Sequence, residues 1–172
     1  MQDILAKAEK IKLVIFDVDG VLTDGSLFIG DDGEEYKAFY SRDGLGMKML
    51  HSTGVEIGII TARDAKVVEH RMKSLGIQHV YQGRLDKLSA CHEMLSELNF
   101  SLEQTAYVGD DVVDLPVMKN VSLAIAVQDA HPIVKQHAHW QTEHDGGRGA
   151  ARDVCELIMQ AQGTLEAQLN KF

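Results

Sequence analysis

Two kinds of hydrophobic pattern alternate along this chain. Short apolar runs rich in Val, Ile and Leu are typical of buried strands, and longer stretches with apolar residues three or four positions apart are typical of helices. The predicted strands cover residues 13–16, 55–60, 77–81, 105–108, 123–127 and, at an edge, 138–142. The predicted helices cover residues 43–54, 64–75, 87–98 and 150–162, with a short one after 108. This alternation predicts an α/β fold with a Rossmann-like, doubly wound and mostly parallel sheet.

Polar residues mark the ends of these elements. Asp43 and Asp64 are predicted to cap the helices that follow them, and Gly54 and Gly76 to end those helices. Residues 26–41 contain two β-like runs on either side of the turn sequence Gly30–Gly33, which predicts a protruding β-hairpin. Residues from 163 onward are polar, and we expect a loose tail there. With no linker or repeat in the sequence, we expect a single domain over residues 1–172.

Composition and charge argue against several classes of function and of binding partner. The chain has 172 residues, a net charge of −9 and no basic stripe, which argues against a partner nucleic acid. No apolar run is long enough for a membrane span, and the first residues lack the apolar centre of a signal peptide. Two cysteines without a C-x-x-C motif suggest neither a zinc site nor a disulfide framework. We therefore expect a cytoplasmic protein without a membrane partner.

Polar side chains follow three of the predicted strands directly. Asp17 and Asp19 follow the first strand, Thr61 the second, and Asp110 with Asp111 the fourth. The carboxyl ends of parallel strands share one edge of a sheet, so residues almost a hundred positions apart can converge there. Taken alone, Asp17-Val18-Asp19-Gly20 is equally compatible with a simple turn, and it fits a calcium-binding loop poorly. Lys87, which begins a predicted helix, adds a positive charge near this edge.

In this order, the four groups resemble the signatures of the haloacid dehalogenase superfamily of phosphotransferases. The matching segments are 17–24, Thr61, Lys87 and 109–114. The resemblance implies that Asp17 is the nucleophile and Asp19 the general acid and base. It also implies that Thr61 and Lys87 stabilise the transferred phosphoryl group, and that Mg²⁺ binds the Asp17 carboxylate, the Asp19 backbone carbonyl and Asp110. Asp111 and Asp114 would support Lys87 and the metal.

Two further features of the sequence indicate which family of the superfamily the chain resembles. Residues 24–43 and 61–87 leave no room for a cap domain. Residues 37–46 and 145–150 resemble the 3-deoxy-D-manno-octulosonate 8-phosphate phosphatases, which assemble as tetramers and serve lipopolysaccharide precursor synthesis. The resemblance therefore implies a small phosphorylated acid sugar as the substrate. The residues expected to bind it are Asp19, Tyr40, Ser41, Arg42, Asp43, Gly44, Lys48, Arg63, Arg71 and Lys87.

Two alternatives remain open at the level of sequence. The motifs do not separate this eight-carbon sugar from a nine-carbon, sialic-acid-type 9-phosphate. A catalytically silent assembly module is the other alternative, although the intact Asp17, Asp19, Thr61, Lys87 and Asp110 argue against it. We expect a homo-oligomer in either case, because a lone apolar hairpin is only marginally stable in water. Arg148 either covers a neighbouring subunit's site or marks a flexible turn.

Overall fold

A computed structural model describes the whole chain, residues 1–172. Its strands are β1 (Leu13–Phe16), β2 (Phe28–Ile29), β3 (Glu35–Tyr36), β4 (Glu56–Ile60), β5 (His79–Tyr81), β6 (Thr105–Gly109), β7 (Leu123–Ala126) and β8 (Trp140–Gln141). Its helices are α1 (Gln2–Ala8), α2 (Ser41–His51), α3 (Lys66–Leu75), α4 (Lys87–Leu98), α5 (Leu115–Met118), α6 (Pro132–His137), α7 (Ala150–Ala161) and α8 (Leu165–Leu169). None of these helices combines the length and apolar character needed to cross a membrane.

The main sheet has six strands in the order β5-β4-β1-β6-β7-β8, and every pair is parallel. All four residues of β1 are buried, because this strand lies at the centre of the sheet and has helices over it. From β1 the chain adds β4 and β5 on one side, and then crosses to add β6, β7 and β8 on the other. The crossing opens a crevice at the carboxyl ends of β1 and β6, where α/β sheets bind ligands.

The α/β fold with a parallel sheet is confirmed, and no cap domain is present. The predicted strands all form, although the edge strand is shorter than predicted and pairs only at Trp140 and Gln141. The predicted β-hairpin also forms, with Phe28 opposite Tyr36 and Ile29 opposite Glu35. The structure adds α1 and α6, which the hydrophobic pattern did not predict. Both are at most seven residues long and give too few turns for a periodic signal.

The chain after residue 163 differs from the loose tail that its polarity predicts. It forms α8, in which Gln168 is buried and accepts a hydrogen bond from the Ser52 hydroxyl at 3.0 Å. This contact joins the C-terminal helix to the end of α2 over a long sequence separation. This buried amide and the packing of Leu165 against the core hold a segment that composition alone assigns to solvent.

The predictions that Asp43 and Asp64 are helix N-caps are wrong. The N-cap of helix α3 is Ala65, one residue after the predicted Asp64. Helix α2 begins at Ser41, which places Asp43 inside its first turn. There Asp43 is almost fully buried, and its Oδ1 accepts a hydrogen bond from the backbone N–H of Arg152 at 2.9 Å. Asp43 therefore caps the N-terminus of α7, where the N-cap residue Gly149 has no side chain to do so.

We expect Asp43→Ala to lower the free energy of unfolding by about 1 kcal/mol, because it leaves a backbone N–H of α7 without an acceptor. Asp43→Asn should retain most of the wild-type stability, since its amide oxygen can accept the same bond. Urea unfolding with unchanged m-values would measure both effects. An Ala variant as stable as the Asn variant would contradict the capping role.

Candidate active site

Seven residues predicted from the sequence line one cavity of about 300 Å³ at the carboxyl edge of the sheet. They are Asp17, Asp19, Thr61, Arg63, Lys87, Asp110 and Asp111. Asp17 directly follows β1, Thr61 follows β4 and Asp110 follows β6, so three neighbouring strands end at the same cavity. Lys87 enters from α4, whose start is fixed by Asp86, the N-cap that accepts a hydrogen bond from Ser89 N at 3.1 Å. The convergence predicted from the strand ends is therefore present.

One of the residues that line this cavity carries a buried ammonium group. Lys87 is 2% exposed, and its Nζ lies 2.6 Å from Asp17 Oδ2 and 2.7 Å from Asp114 Oδ1. Burial alone would lower the pKa of Lys87, but the charges of Asp114 and Asp17 outweigh it and the net shift is upward. The lysine is therefore charged, and it fixes the position of the Asp17 carboxylate.

Asp114 accepts hydrogen bonds from several neighbouring groups of the cavity. Its Oδ1 accepts hydrogen bonds from Lys87 Nζ and from the Tyr107 hydroxyl, both at 2.7 Å. Its Oδ2 accepts from the backbone N–H groups of Asp110 at 3.0 Å and Asp111 at 3.3 Å. All four acceptor positions of this carboxylate are therefore occupied, and Asp114 orients its neighbours. Tyr107 was not predicted as a site residue, because in the sequence it is one more apolar position of a buried strand.

Burial raises the pKa values of the two carboxyl groups that face the cavity. The pKa of Asp17 rises to about 6, through burial first and the charge of Asp114 second, with Lys87 acting in the opposite direction. The pKa of Asp110 rises to about 8 for the same two leading reasons, with the charge of Asp17 adding to them. The three carboxylates outnumber the one ammonium group here. A dication between Asp17 and Asp110 would reverse both shifts.

The donor atoms fit a hard divalent cation. Carboxylate oxygens of Asp17, Asp110 and Asp114 all lie within 4.8 Å of one another. Because the oxygens of Asp114 are already occupied, Asp17 and Asp110 are the side chains available as ligands. The Asp110 carboxylate also lies so close to Gly20 that a Cβ at this position would collide with it. A glycine after Asp19 is therefore required for Asp110 to reach this place. The carbonyl of Asp19 as a third ligand stays a prediction.

Two further glycines, Gly146 and Gly147, pack against the loop after β1. A Cβ on Gly146 would collide with the carbonyl oxygen of Gly20, and a Cβ on Gly147 would collide with the backbone at Thr23. Gly147 N–H also donates to Val21 O at 2.8 Å. Arg148, just beyond, lies with its guanidinium 3.4 Å from Asp24 Oδ2 in the same chain. The segment therefore presses on the backbone that carries the candidate catalytic acids.

The base of the β-hairpin folds onto Asp19. Lys37 Nζ donates to Asp19 Oδ1 and lies 3.4 Å from Glu35 Oε2, while Arg63 donates to Glu35 Oε1. Arg63 Nε lies 4.0 Å from Asp19 Oδ2. Of the residues predicted to bind the sugar, Asp19, Arg63 and Lys87 therefore line the cavity. Lys37 and Glu35 were not predicted as site residues, because charged residues in a hairpin are normally solvated.

The remaining predicted sugar-binding residues do not line this cavity. Tyr40, Asp43, Gly44 and Arg71 surround a separate small hollow between α2 and α3. Arg42 lies over the Tyr40 ring at 5.9 Å, and Arg71 lies over the Phe39 ring at 5.7 Å. The other two, Ser41 and Lys48, are exposed on α2. Their role in binding a sugar therefore stays a prediction, and within one chain they are separate from the candidate catalytic carboxylates.

Comparisons with known proteins agree with this fold and site. A family model described as haloacid dehalogenase-like hydrolase matches residues 77–152. The chain is 51% identical, over 95% of its length and 88% of the relative's, to a 3-deoxy-D-manno-octulosonate 8-phosphate phosphatase of Yersinia pestis. A crystal structure of that phosphatase superposes with a TM-score of 0.94, covering 95% of this chain and 89% of that one.

A phosphatase of the same name from Moraxella catarrhalis was solved in complex with magnesium ion, phosphate ion and KDO. It superposes with a TM-score of 0.98 at 40% identity and covers 100% of this chain and 99% of its own. The fold and the carboxylate–lysine site thus define a haloacid dehalogenase-like hydrolase. Within that class, the chain belongs to the 3-deoxy-D-manno-octulosonate 8-phosphate phosphatase family.

Magnesium affinity should rise with pH in this protein. Asp17 and Asp110, with pKa values of about 6 and about 8 in the absence of an ion, must lose their protons before they can bind one. The affinity should therefore increase from about pH 6 to about pH 8 and level off above that range, with proton release on binding. Titration calorimetry in two buffers of different ionisation enthalpy would measure both quantities.

Asp110→Asn is the matched control, because it removes one titrating ligand without changing its size. This variant should bind magnesium weakly and release fewer protons. An affinity that does not change between about pH 6 and about pH 8 would contradict the assignment of these two carboxylates as ligands.

Proposed function

We propose that this protein is a magnesium-dependent phosphatase that hydrolyses 3-deoxy-D-manno-octulosonate 8-phosphate to the free sugar acid and inorganic phosphate. The observation that carries the proposal is the buried Lys87, whose Nζ lies 2.6 Å from Asp17 Oδ2 in a cavity that also contains Asp19, Thr61 and Asp110. The name of relatives at 51% identity supports the sugar, and the ligands of the Moraxella catarrhalis structure support the metal.

In the first step, a carboxylate oxygen of Asp17 attacks phosphorus and forms an aspartyl-phosphate, while the ester bond to the sugar breaks. Val18 N–H donates to Asp17 Oδ1 at 2.6 Å, which helps to hold the nucleophile in a single orientation. Lys87 and the hydroxyl of Thr61 stabilise the negative charge on the phosphoryl oxygens. Asp19 protonates the departing sugar oxygen, because an alkoxide is a poor leaving group.

In the second step, Asp19 accepts a proton from a water molecule, which then attacks the phosphorus of the aspartyl-phosphate. This releases inorganic phosphate and restores the Asp17 carboxylate. Bound magnesium supplies the positive charge that allows an anionic phosphate to approach these carboxylates. Asp17 and Asp110 would hold the ion with the Asp19 carbonyl, and Asp114 would orient them through its hydrogen bonds.

The acid-sugar part of the substrate needs further cationic contacts. Arg63 is placed to supply one, since it lines the cavity 4.0 Å from Asp19. Arg42, Lys48 and Arg71 lie outside the cavity of their own chain, so they would act on substrate held by an adjoining copy. Their position outside the cavity favours a homo-oligomer. The tetramer expected from the sequence is an assembly of this kind. The cytoplasmic location and the part in lipopolysaccharide precursor synthesis stay predictions from the resemblance.

The exposed apolar side chains of the hairpin support such an assembly. Leu27, Phe28, Ile29 and Tyr36 are each about half exposed or more. A two-stranded ribbon with this much apolar surface is marginal in water, and burial against another copy would stabilise it. The cavity also has no cap domain above it, so a neighbouring subunit is the available cover.

The reaction is tested by phosphate release from 3-deoxy-D-manno-octulosonate 8-phosphate, with N-acetylneuraminate 9-phosphate as the comparison substrate. Asp17→Asn should lower kcat by at least about 10³-fold, because it removes the nucleophile. Asp19→Asn should lower kcat by about 10²- to 10⁴-fold and still bind magnesium through its backbone carbonyl. Excess chelator should abolish turnover in the wild type.

Turnover of Asp17→Asn near the wild-type rate would exclude this mechanism. A higher kcat/KM for the nine-carbon ester would agree with the same mechanism and would assign that ester as the substrate.

The assembly is tested by sedimentation of the double variant Phe28→Glu/Ile29→Lys. We expect this variant to dissociate, because the two exposed apolar residues become charged and can no longer be buried together. Its activity toward p-nitrophenyl phosphate should survive better than its activity toward the sugar phosphate, since the catalytic carboxylates lie in one chain. A wild-type protein that sediments as a monomer with full sugar-phosphate activity would rule out the oligomer.

A further inference from the structure

The side chain of Lys37 is buried where that of a hairpin lysine is expected to be solvated. Lys37 follows β3, and its side chain is only 1% exposed, whereas Phe28 and Ile29 in the same hairpin are 56% and 61% exposed. Lysine is almost never fully buried unless a carboxylate pairs with it. The hairpin therefore projects its apolar side chains into solvent and buries a cation at its base, against the catalytic edge of the sheet.

Four alternating charges hold this base in place. Lys37 Nζ contacts Asp19 Oδ1 and lies 3.4 Å from Glu35 Oε2, Glu35 Oε1 accepts from Arg63, and Arg63 Nε returns to within 4.0 Å of Asp19 Oδ2. The ring joins the loop after β1, the hairpin and the loop after β4. A side chain held by two other segments in this way has little freedom to rotate. Asp19 is therefore oriented by residues outside its own loop.

The two oxygens of Asp19 are made unequal by this arrangement. Oδ1 is occupied by the Lys37 ammonium, while Oδ2 is a buried atom with no hydrogen-bond partner. A buried acceptor without a partner is unusual in a folded protein and calls for an explanation. The group that faces it is Arg63, whose Nε lies 4.0 Å away and also has no hydrogen-bond partner, so the Asp19 carboxylate is held between two cations.

We propose that Lys37 is a positioning residue for the general acid and base, holding the Asp19 carboxylate in the orientation from which it transfers the proton in both steps. This inference rests on the proposed phosphatase function. The hairpin base then belongs to the catalytic machinery of its own chain, in addition to any contact that the hairpin makes with another copy.

The test is the kinetics of Lys37→Met, which keeps the length of the side chain and removes its charge. With 3-deoxy-D-manno-octulosonate 8-phosphate, kcat should fall by about 10- to 100-fold, a part of the general acid–base contribution, while KM changes less than about threefold. Lys37→Arg should recover part of the lost kcat, because it again places a cation against Asp19. Glu34→Gln, an exposed hairpin change without contact to Asp19, is the matched control and should behave as the wild type.

A second substrate separates positioning from a structural effect. p-Nitrophenolate leaves with little need for a proton, so p-nitrophenyl phosphate should still phosphorylate Asp17 in Lys37→Met. Hydrolysis of the aspartyl-phosphate still needs Asp19 as a base, so the intermediate should accumulate. Rapid mixing should then show a burst of p-nitrophenolate, larger than in the wild type and close to one per active site. A displaced Asp17 or a lost metal would slow both steps and give no burst.

The outcomes that overturn the proposal are distinct. A kcat of Lys37→Met within about twofold of the wild type, or a reduced kcat without a burst, shows that Lys37 does not position Asp19. If Lys37→Met does not fold, Lys37→Leu, which also has neither a charge nor a donor for Asp19, is held to the same two criteria. A wild-type protein that hydrolyses neither ester would instead refute the phosphatase function itself.

Discussion

The buried ion pair between Lys87 and Asp17 is the interaction on which the rest of the site depends. An ammonium group that is 2% exposed cannot stay charged without carboxylates beside it, and Asp17 and Asp114 lie within 2.7 Å of it. Asp114 in turn holds the backbone of the loop that carries Asp110. One lysine thus fixes the candidate nucleophile directly and the candidate metal ligand indirectly. Arranging these charges costs stability in the free protein, which the raised pKa values of Asp17 and Asp110 express.

The parallel sheet explains why these charges meet. β1 lies at the centre, with β4 and β6 on either side, and the chain reverses its direction of growth between β1 and β6. Three strand ends therefore open onto one crevice, and each contributes a polar group where helices no longer cover the sheet. The accumulated negative charge suits a divalent cation, which also offsets the repulsion between a carboxylate nucleophile and a phosphate ester. In a catalytically silent assembly module, this cluster of charges would lower the stability of the protein without serving a function.

The hairpin has opposite properties at its two ends. Its apolar side chains are exposed, which suits a surface that another copy covers. The side chain of Lys37 at its base is instead buried against Asp19. Through Glu35 and Arg63, the same base is joined to the loop after β4. An assembly built through the hairpin would therefore restrain the residues that contact Asp19, the candidate acid and base. Cover from a neighbour and alignment of Asp19 would then have a common structural origin.

The sequence determined the elements and residues whose signals are local. The apolar run of β1, the acids that end it, and Lys87 at the start of α4 follow from hydrophobic period, strand ends and helix start, each visible within about ten residues. The structure alone decided the partners that lie far apart in the chain. Asp43 has the local signature of a cap for α2, yet it caps α7, 109 positions away. Lys37 and Tyr107 carry no local signal, because what makes them important is the carboxylate that folding brings to each of them. Residue type and spacing specify what a segment can form, and tertiary packing selects which polar groups are buried together.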